Sequence, residues 1–186
     1  MEFPTIPEIA RWLVLFLLAV LAWTALGYAI HRLAHHSGEW NLLARLHRAH
    51  HAPAYLSTPR PLRFHHLLFW FDTRAETMDV WITLTLPALL IAALLPAQGP
   101  ALLALHYLYE ILLSDGRFDH NPAIDGAITR VLACGTYHLE HHRQPQRHFG
   151  LILTLWDHIF RTAGAATTSP AGRCSPTGAI PAGGRN

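Results

Sequence analysis

Three apolar stretches organise this chain. From Trp12 to Ile30 the sequence WLVLFLLAVLAWTALGYAI carries no charge, and at 1.5 Å rise its about 19 residues cover a hydrocarbon core of about 30 Å. It predicts a membrane-crossing helix. The run is too long for the apolar core of a cleaved leader and leads straight into His31. A second block, Val80 to Leu95 (VWITLTLPALLIAALL), and a third, Ala101 to Leu113 (ALLALHYLYEILL), flank Pro-Ala-Gln-Gly-Pro, which reads as a tight turn between antiparallel helices. Each of these arms is shorter than an ideal span, so a full crossing and a re-entrant hairpin are both open.

The polar segments lie between and after these blocks. Residues 31 to 79 are amphipathic and arginine-rich, with FHHLLFWFD a candidate helix along the interface. Ser114 to Thr162 is the second polar segment, and the Gly, Pro, Ser and Thr of residues 164–186 read as a disordered tail. Arg11 precedes the first span, the Pro96–Pro100 turn has no arginine, and the arginines from Arg32 onward fall in the two polar segments and the tail that follows the second. Three passes put those segments on one side, and the positive-inside rule makes that side the cytoplasm. The expectation is an all-α integral membrane protein of the inner, cytoplasmic membrane. Residues 1–163 form its single domain, with about three transmembrane or re-entrant helices and a His-rich cytosolic helical cap.

Composition narrows the chemistry. The 186 residues suit one domain, 51% are hydrophobic and only 14% charged. All 14 cationic side chains are arginine and the net charge is +2; with no dense basic stripe, a nucleic-acid partner is not expected. Cys134 and Cys174 are the two cysteines and lack Cys-x-x-Cys spacing, so metal chemistry would rest on the 15 histidines.

Those histidines are patterned. HRAHH at 47–51 and HLEHH at 138–142 repeat His-x-x-His-His, and HRLAHH at 31–36 precedes the first copy. Residues three and four apart share a helical face, so His31 with His35, His47 with His50 and His51, and His138 with His141 and His142 each project imidazoles to a common point. Imidazole suits zinc, copper, nickel and iron, and eight or nine such nitrogens are too many for one ion and reasonable for two. His36 could stand in for His35, which is favoured, and His120 in SDGRFDHNP could complete a shell. His106 and Glu110 lie one turn apart in the third apolar arm, where ionisable groups are costly and often functional. Asp115 and Asp119 are candidate acceptors for ligand N–H groups. His65 and His66 read as interfacial, and His148 and His158 as outside the cluster.

At this point the chain resembles the fatty acid hydroxylase superfamily, which includes sterol desaturases, fatty acid hydroxylases and carotene hydroxylases. HRLAHH is similar to its first histidine box, LARLHRAHH to its H-x-x-H-H and GTYHLEHH to its last H-x-x-H-H; RPLRFHH and HFGLILTLWDHIFRT extend the likeness over residues 28 to 162. SDGRFDH resembles the carotene hydroxylase segment HDGLVH, with Ser114 where the first histidine would be. His148 stands where relatives often have asparagine. The resemblance implies a membrane oxygenase whose cytosolic cap holds two iron ions and uses O₂. The metal set it implies is His31, His35, His47, His50, His51, His138, His141 and His142, with His120 the nearest candidate from the middle box.

The chemistry so implied is O₂-dependent hydroxylation or desaturation of a lipid C–H bond, whether sterol, fatty acyl or carotenoid. No haem, flavin or nicotinamide motif is fused to the chain, so a separate ferredoxin or reductase would supply electrons. Two other readings compete. A non-catalytic metal-binding or metal-transport membrane protein would place ionisable groups along the spans, where only His106 and Glu110 lie. A zinc hydrolase would need His-Glu-x-x-His, whereas Glu140 sits in another register.

Overall fold

The computed structural model describes residues 3–51, 63–113 and 118–164. Among them it is helical, with a single isolated antiparallel bridge between Leu132 and Leu153. Ser114, Asp115 and the tail from residue 165 lie outside the described residues.

Helix α1 spans Ile6–Ala34, longer at both ends than the uncharged run. Its start is made by Glu8, whose carboxylate accepts from both the amide and the hydroxyl of Thr5, and by Pro7 in the first turn, where a missing amide hydrogen costs no helical bond. A short helix, α2, covers Leu42–His47 behind the Asn41 cap, whose Oδ1 accepts from the Ala44 amide. The candidate interfacial helix is only a short 3₁₀ turn, Phe64–Leu68, stopped by Phe69 in the left-handed region.

Helix α3 runs over Arg74–Leu94, starting before the apolar block because Thr73 and Glu76 form a capping box there. Its Trp81–Thr85 turn is π-helical, next to Pro87, which cannot donate to the preceding turn. Trp23 of α1 enters at this loosened turn and donates its indole N–H to the Leu84 carbonyl at 2.9 Å. Helix α4 covers Gly99–Leu113. Gly99 is required at the turn, since a Cβ there would lie 2.7 Å from the Ala92 carbonyl oxygen.

α1 and α3 are long and apolar enough to cross a membrane, whereas α4 is shorter. The three pack in alternating directions. Trp12 near the start of α1 donates to Ala97 in the α3–α4 turn, while Trp23 meets Leu84 further along. A core of Ala19, Trp23, Leu84, Ala88, Ile91, Leu102 and Tyr109 fills the space between them. Leu13, Leu17, Leu86, Leu90, Leu94 and Leu108 remain exposed, an apolar outer surface that suits lipid.

This arrangement brings the C-terminal ends of α1 and α4 and the N-terminal end of α3 together at the end opposite the tight turn. The remaining elements assemble there: helix α5, Thr136–Arg143, and helix α6, Leu155–Ile159. The closing segment latches onto α1 through Trp156 Nε1 on Thr24 Oγ1 at 3.0 Å and Tyr28 Oη with Thr162 Oγ1 at 2.9 Å.

Candidate metal centre

The nine histidines singled out in the sequence converge into two adjacent groups. His31, His35, His47, His51 and His141 form one, and His50, His120, His138 and His142 the other. Each His-x-x-His-His divides in the same way: residues i and i+4 go to one group and the histidine between them to the other. The two copies are crossed, since 47 and 51 join the group of 141 while 138 and 142 join that of 50. Two chain segments are thereby stitched through both groups, which a single ion could not accomplish.

Hydrogen bonding fixes which nitrogen is bare. His31 Nδ1 lies 2.7 Å from the Phe149 carbonyl and His141 Nδ1 2.6 Å from that of Arg147; a carbonyl only accepts, so each ring keeps its proton on Nδ1. His47 Nδ1 likewise donates to Asp79 Oδ2 at 2.9 Å. Their Nε2 atoms therefore present lone pairs. Yet His31 Nε2 and His47 Nε2 are 3.0 Å apart, and His141 Nε2 lies 3.1 Å from His35 Nε2 and 3.2 Å from His51 Nε2. The bare lone pairs of His31 and His47 repel at 3.0 Å, and a cation between them removes the repulsion.

The second group has similar spacings: His50 to His138 3.1 Å, His120 to His142 2.9 Å and His142 to His138 3.2 Å between Nε2 atoms. Neighbouring ligands around an ion with metal–nitrogen bonds of about 2.1 Å sit about 3.0 Å apart at right angles and about 3.4 Å apart in a tetrahedron. Both groups fall in that range. His31, His138 and His141 are fully buried or nearly so. Burial first, then neighbouring imidazoles, holds His35 down to about 3, His51 to about 4 and His142 to about 2. These three rings are thus neutral imidazole, the form that binds metal.

The elements explain the convergence. His31 and His35 occupy the last turn and C-cap of α1. His47 ends α2, with His50 and His51 in the turn that follows. α5 can begin only because Gly135 adopts φ 56 before it, where a Cβ would lie 2.1 Å from the Ile124 carbonyl oxygen. The carbonyls of Arg147 and Phe149 flank His148, itself at φ 59. Behind them the buried Asp157 accepts from the amides of Phe149 and Gly150 at 2.8 and 2.7 Å, from Tyr137 Oη at 2.9 Å and from Thr162 Oγ1 at 2.6 Å.

Other sequence candidates lie elsewhere. His36 is exposed and turns Nδ1 to the Ser37 carbonyl. His106 pairs with Thr85 Oγ1 at 2.9 Å within the helices, and it and Glu110 belong to neither imidazole group. Asp119 takes the Tyr109 hydroxyl at 2.9 Å. Glu140 is engaged by Arg143 and Gln144. His148 accepts from the Gly164 amide and His158 is exposed, both outside the cluster. Asp79 and Asp157 were not anticipated. Asp79 is far from His47 in sequence and gives no local sign of its role, whereas Asp157 lies inside the closing LTLWDHIFRT, where a carboxylate amid apolar residues is a usable signal.

The fatty acid hydroxylase family model matches residues 16–162. The chain belongs to the fatty acid hydroxylase family. No curated protein and no solved structure matches it significantly. The family is one of membrane-associated oxygenases acting as lipid hydroxylases or desaturases, and the paired histidine groups, which could each hold a metal ion, fit that membership.

Proposed function

We propose that this protein is a membrane di-iron oxygenase that hydroxylates or desaturates a lipid, with His31, His35, His47, His51 and His141 holding one iron and His50, His120, His138 and His142 the other. The observation that carries the reading is the convergence of nine imidazoles in two groups, with the unprotonated His31 and His47 nitrogens 3.0 Å apart, at the polar end of apolar helices. Iron in such a site, when bound, supplies activation of O₂ and removal of hydrogen from an unactivated C–H bond. For hydroxylation the balance is one lipid C–H, one O₂, two electrons and two protons giving one alcohol and one water. The electrons come from a separate ferredoxin or reductase.

The residues of the chain do the positioning. Phe149 and Arg147 carbonyls and the Asp79 carboxylate orient three rings before any ion arrives. Burial excludes bulk water, which would otherwise compete at the reacting centre. The exposed apolar faces of α1, α3 and α4 suit contact with the bilayer that would supply an acyl, sterol or carotenoid chain. The arginines at the histidine end support a cytoplasmic side for it by the positive-inside rule.

The test is metal analysis of protein purified without oxygen, with lipid extracts compared before and after expression. Two irons per chain and one new oxidised lipid, both lost in His138→Ala, are expected. Iron-free protein that yields no O₂-dependent lipid product with a reductant would overturn the proposal.

A further inference from the structure

We propose that His65, His66 and Asp72 form a third, mononuclear metal site of zinc type that shares no residue with the nine-histidine centre. One ligand atom from each lies within 4.8 Å of the others. His65 Nε2 and His66 Nε2 stand 3.4 and 3.3 Å from Asp72 Oδ1. The edge of a tetrahedron around an ion with bonds of 2.0–2.1 Å is about 3.3–3.4 Å, so these two edges already have the length zinc requires. Two imidazoles and a carboxylate exclude calcium and magnesium, which take oxygen, and the fourth vertex is left to water.

The loop is built to hold these groups. The Phe69 amide bonds the His66 carbonyl at 2.9 Å and the Trp70 amide that of His65 at 3.1 Å, reversing the chain so that Asp72 returns to the histidines. Phe69, at φ 55, makes the turn, and its carbonyl is held by Trp81 Nε1 at 3.0 Å. Tyr107 Oη reaches the Leu67 carbonyl at 3.2 Å, and Thr77 Oγ1 takes the Phe71 amide at 2.9 Å. His66 stacks on Phe71 with ring centroids 5.9 Å apart. The donors are therefore pinned to α3 and α4 without an ion.

Two local costs set the affinity. Arg63 Nη1 already lies 3.3 Å from Asp72 Oδ1, with a side chain 58% exposed, and must swing into solvent. The Arg63 amide donates to His66 Nδ1 at a weak 3.3 Å; for Nε2 to bind metal the ring moves its proton to Nδ1, and this bond is released. The ion displaces the Arg63 cation and takes the place of the His65 and His66 contacts at the carboxylate, which weakens its binding. Once bound, it clips residues 65–72 together just before α3, the helix that carries Asp79.

Equilibrium dialysis of metal-stripped full-length protein in detergent against Zn²⁺ tests this. Wild type is expected to hold one equivalent more than Asp72→Asn and than His65→Ala, whatever the nine-histidine centre takes up, and Arg63→Ala to fill its weakest equivalent at several-fold lower Zn²⁺. Equal stoichiometry in wild type and both ligand variants overturns the site. If Asp72→Asn loses more than one equivalent its fold is disturbed, and the half-exposed His65 then decides: a loss of one in His65→Ala supports the site, no loss overturns it.

Discussion

Asp79 of α3 accepts from His47 Nδ1 at 2.9 Å and so ties the first His-x-x-His-His to a membrane helix. Thr83 Oγ1, one turn along, lies 3.5 Å from the other carboxylate oxygen. The carboxylate fixes the His47 tautomer and raises its basicity as a ligand. Asp79→Ala is expected to lower metal affinity by roughly 10–100-fold with little change in helical content. Competition with a chelator, read alongside circular dichroism, measures both; unchanged affinity would remove Asp79 from this role.

Gly135 permits the helix that carries HLEHH. In Gly135→Ala the new methyl meets the Ile124 carbonyl oxygen at 2.1 Å while the backbone is held at φ 56. Positive φ alone costs roughly 1–3 kcal/mol, and the steric overlap adds to it. A lower thermal midpoint and loss of metal from both groups together are expected, because α5 supplies ligands to both. Loss from one group alone would contradict the crossed arrangement.

His148 tests backbone shape without touching a ligand. It sits at φ 59 between the two carbonyls that orient His31 and His141. Asparagine populates this region readily and β-branched residues do not. His148→Asn is therefore expected to retain metal content and thermal midpoint, whereas His148→Val loses roughly 1–3 kcal/mol of stability. Equal behaviour of the two would show that the left-handed backbone at 148 is unimportant.

Much of this was legible along the chain because the governing physics is local. The first span and the three-plus-four spacing of the histidines follow from helix periodicity, and the eight positions chosen on that basis meet, together with His120, which the middle polar segment offered. Helix ends were less legible: α3 starts at Arg74 rather than Val80 because a capping box outweighs the charges in its first turns. The division of each histidine box between two groups is a tertiary outcome, set by how α2 and α5 approach one another. Asp79 is equally invisible, since its partner His47 lies 32 residues away. Carbonyls that orient ligands, as at Arg147 and Phe149, have no side-chain signature at all.

Acidity provides the last prediction. In the folded, metal-free chain His35, His51 and His142 titrate at about 3, 4 and 2, because burial and then neighbouring imidazoles oppose their charging. Unfolded, each titrates near about 6.5. Between those values the unfolded chain binds more protons than the folded one, so stability rises with pH across the window and falls as pH drops below about 6.5. Above about 6.5 neither state charges these rings and the contribution is flat. The thermal midpoint of stripped protein is thus expected to hold steady from about pH 8 to 7 and to decline steadily from about pH 6.5 to 4.5. Metal-loaded protein resists that decline, because protons must displace the ions to reach the nitrogens. Thermal unfolding of both forms across this range measures the effect, and a midpoint of the stripped protein that climbs on acidification would show that the imidazoles are not held neutral by the fold.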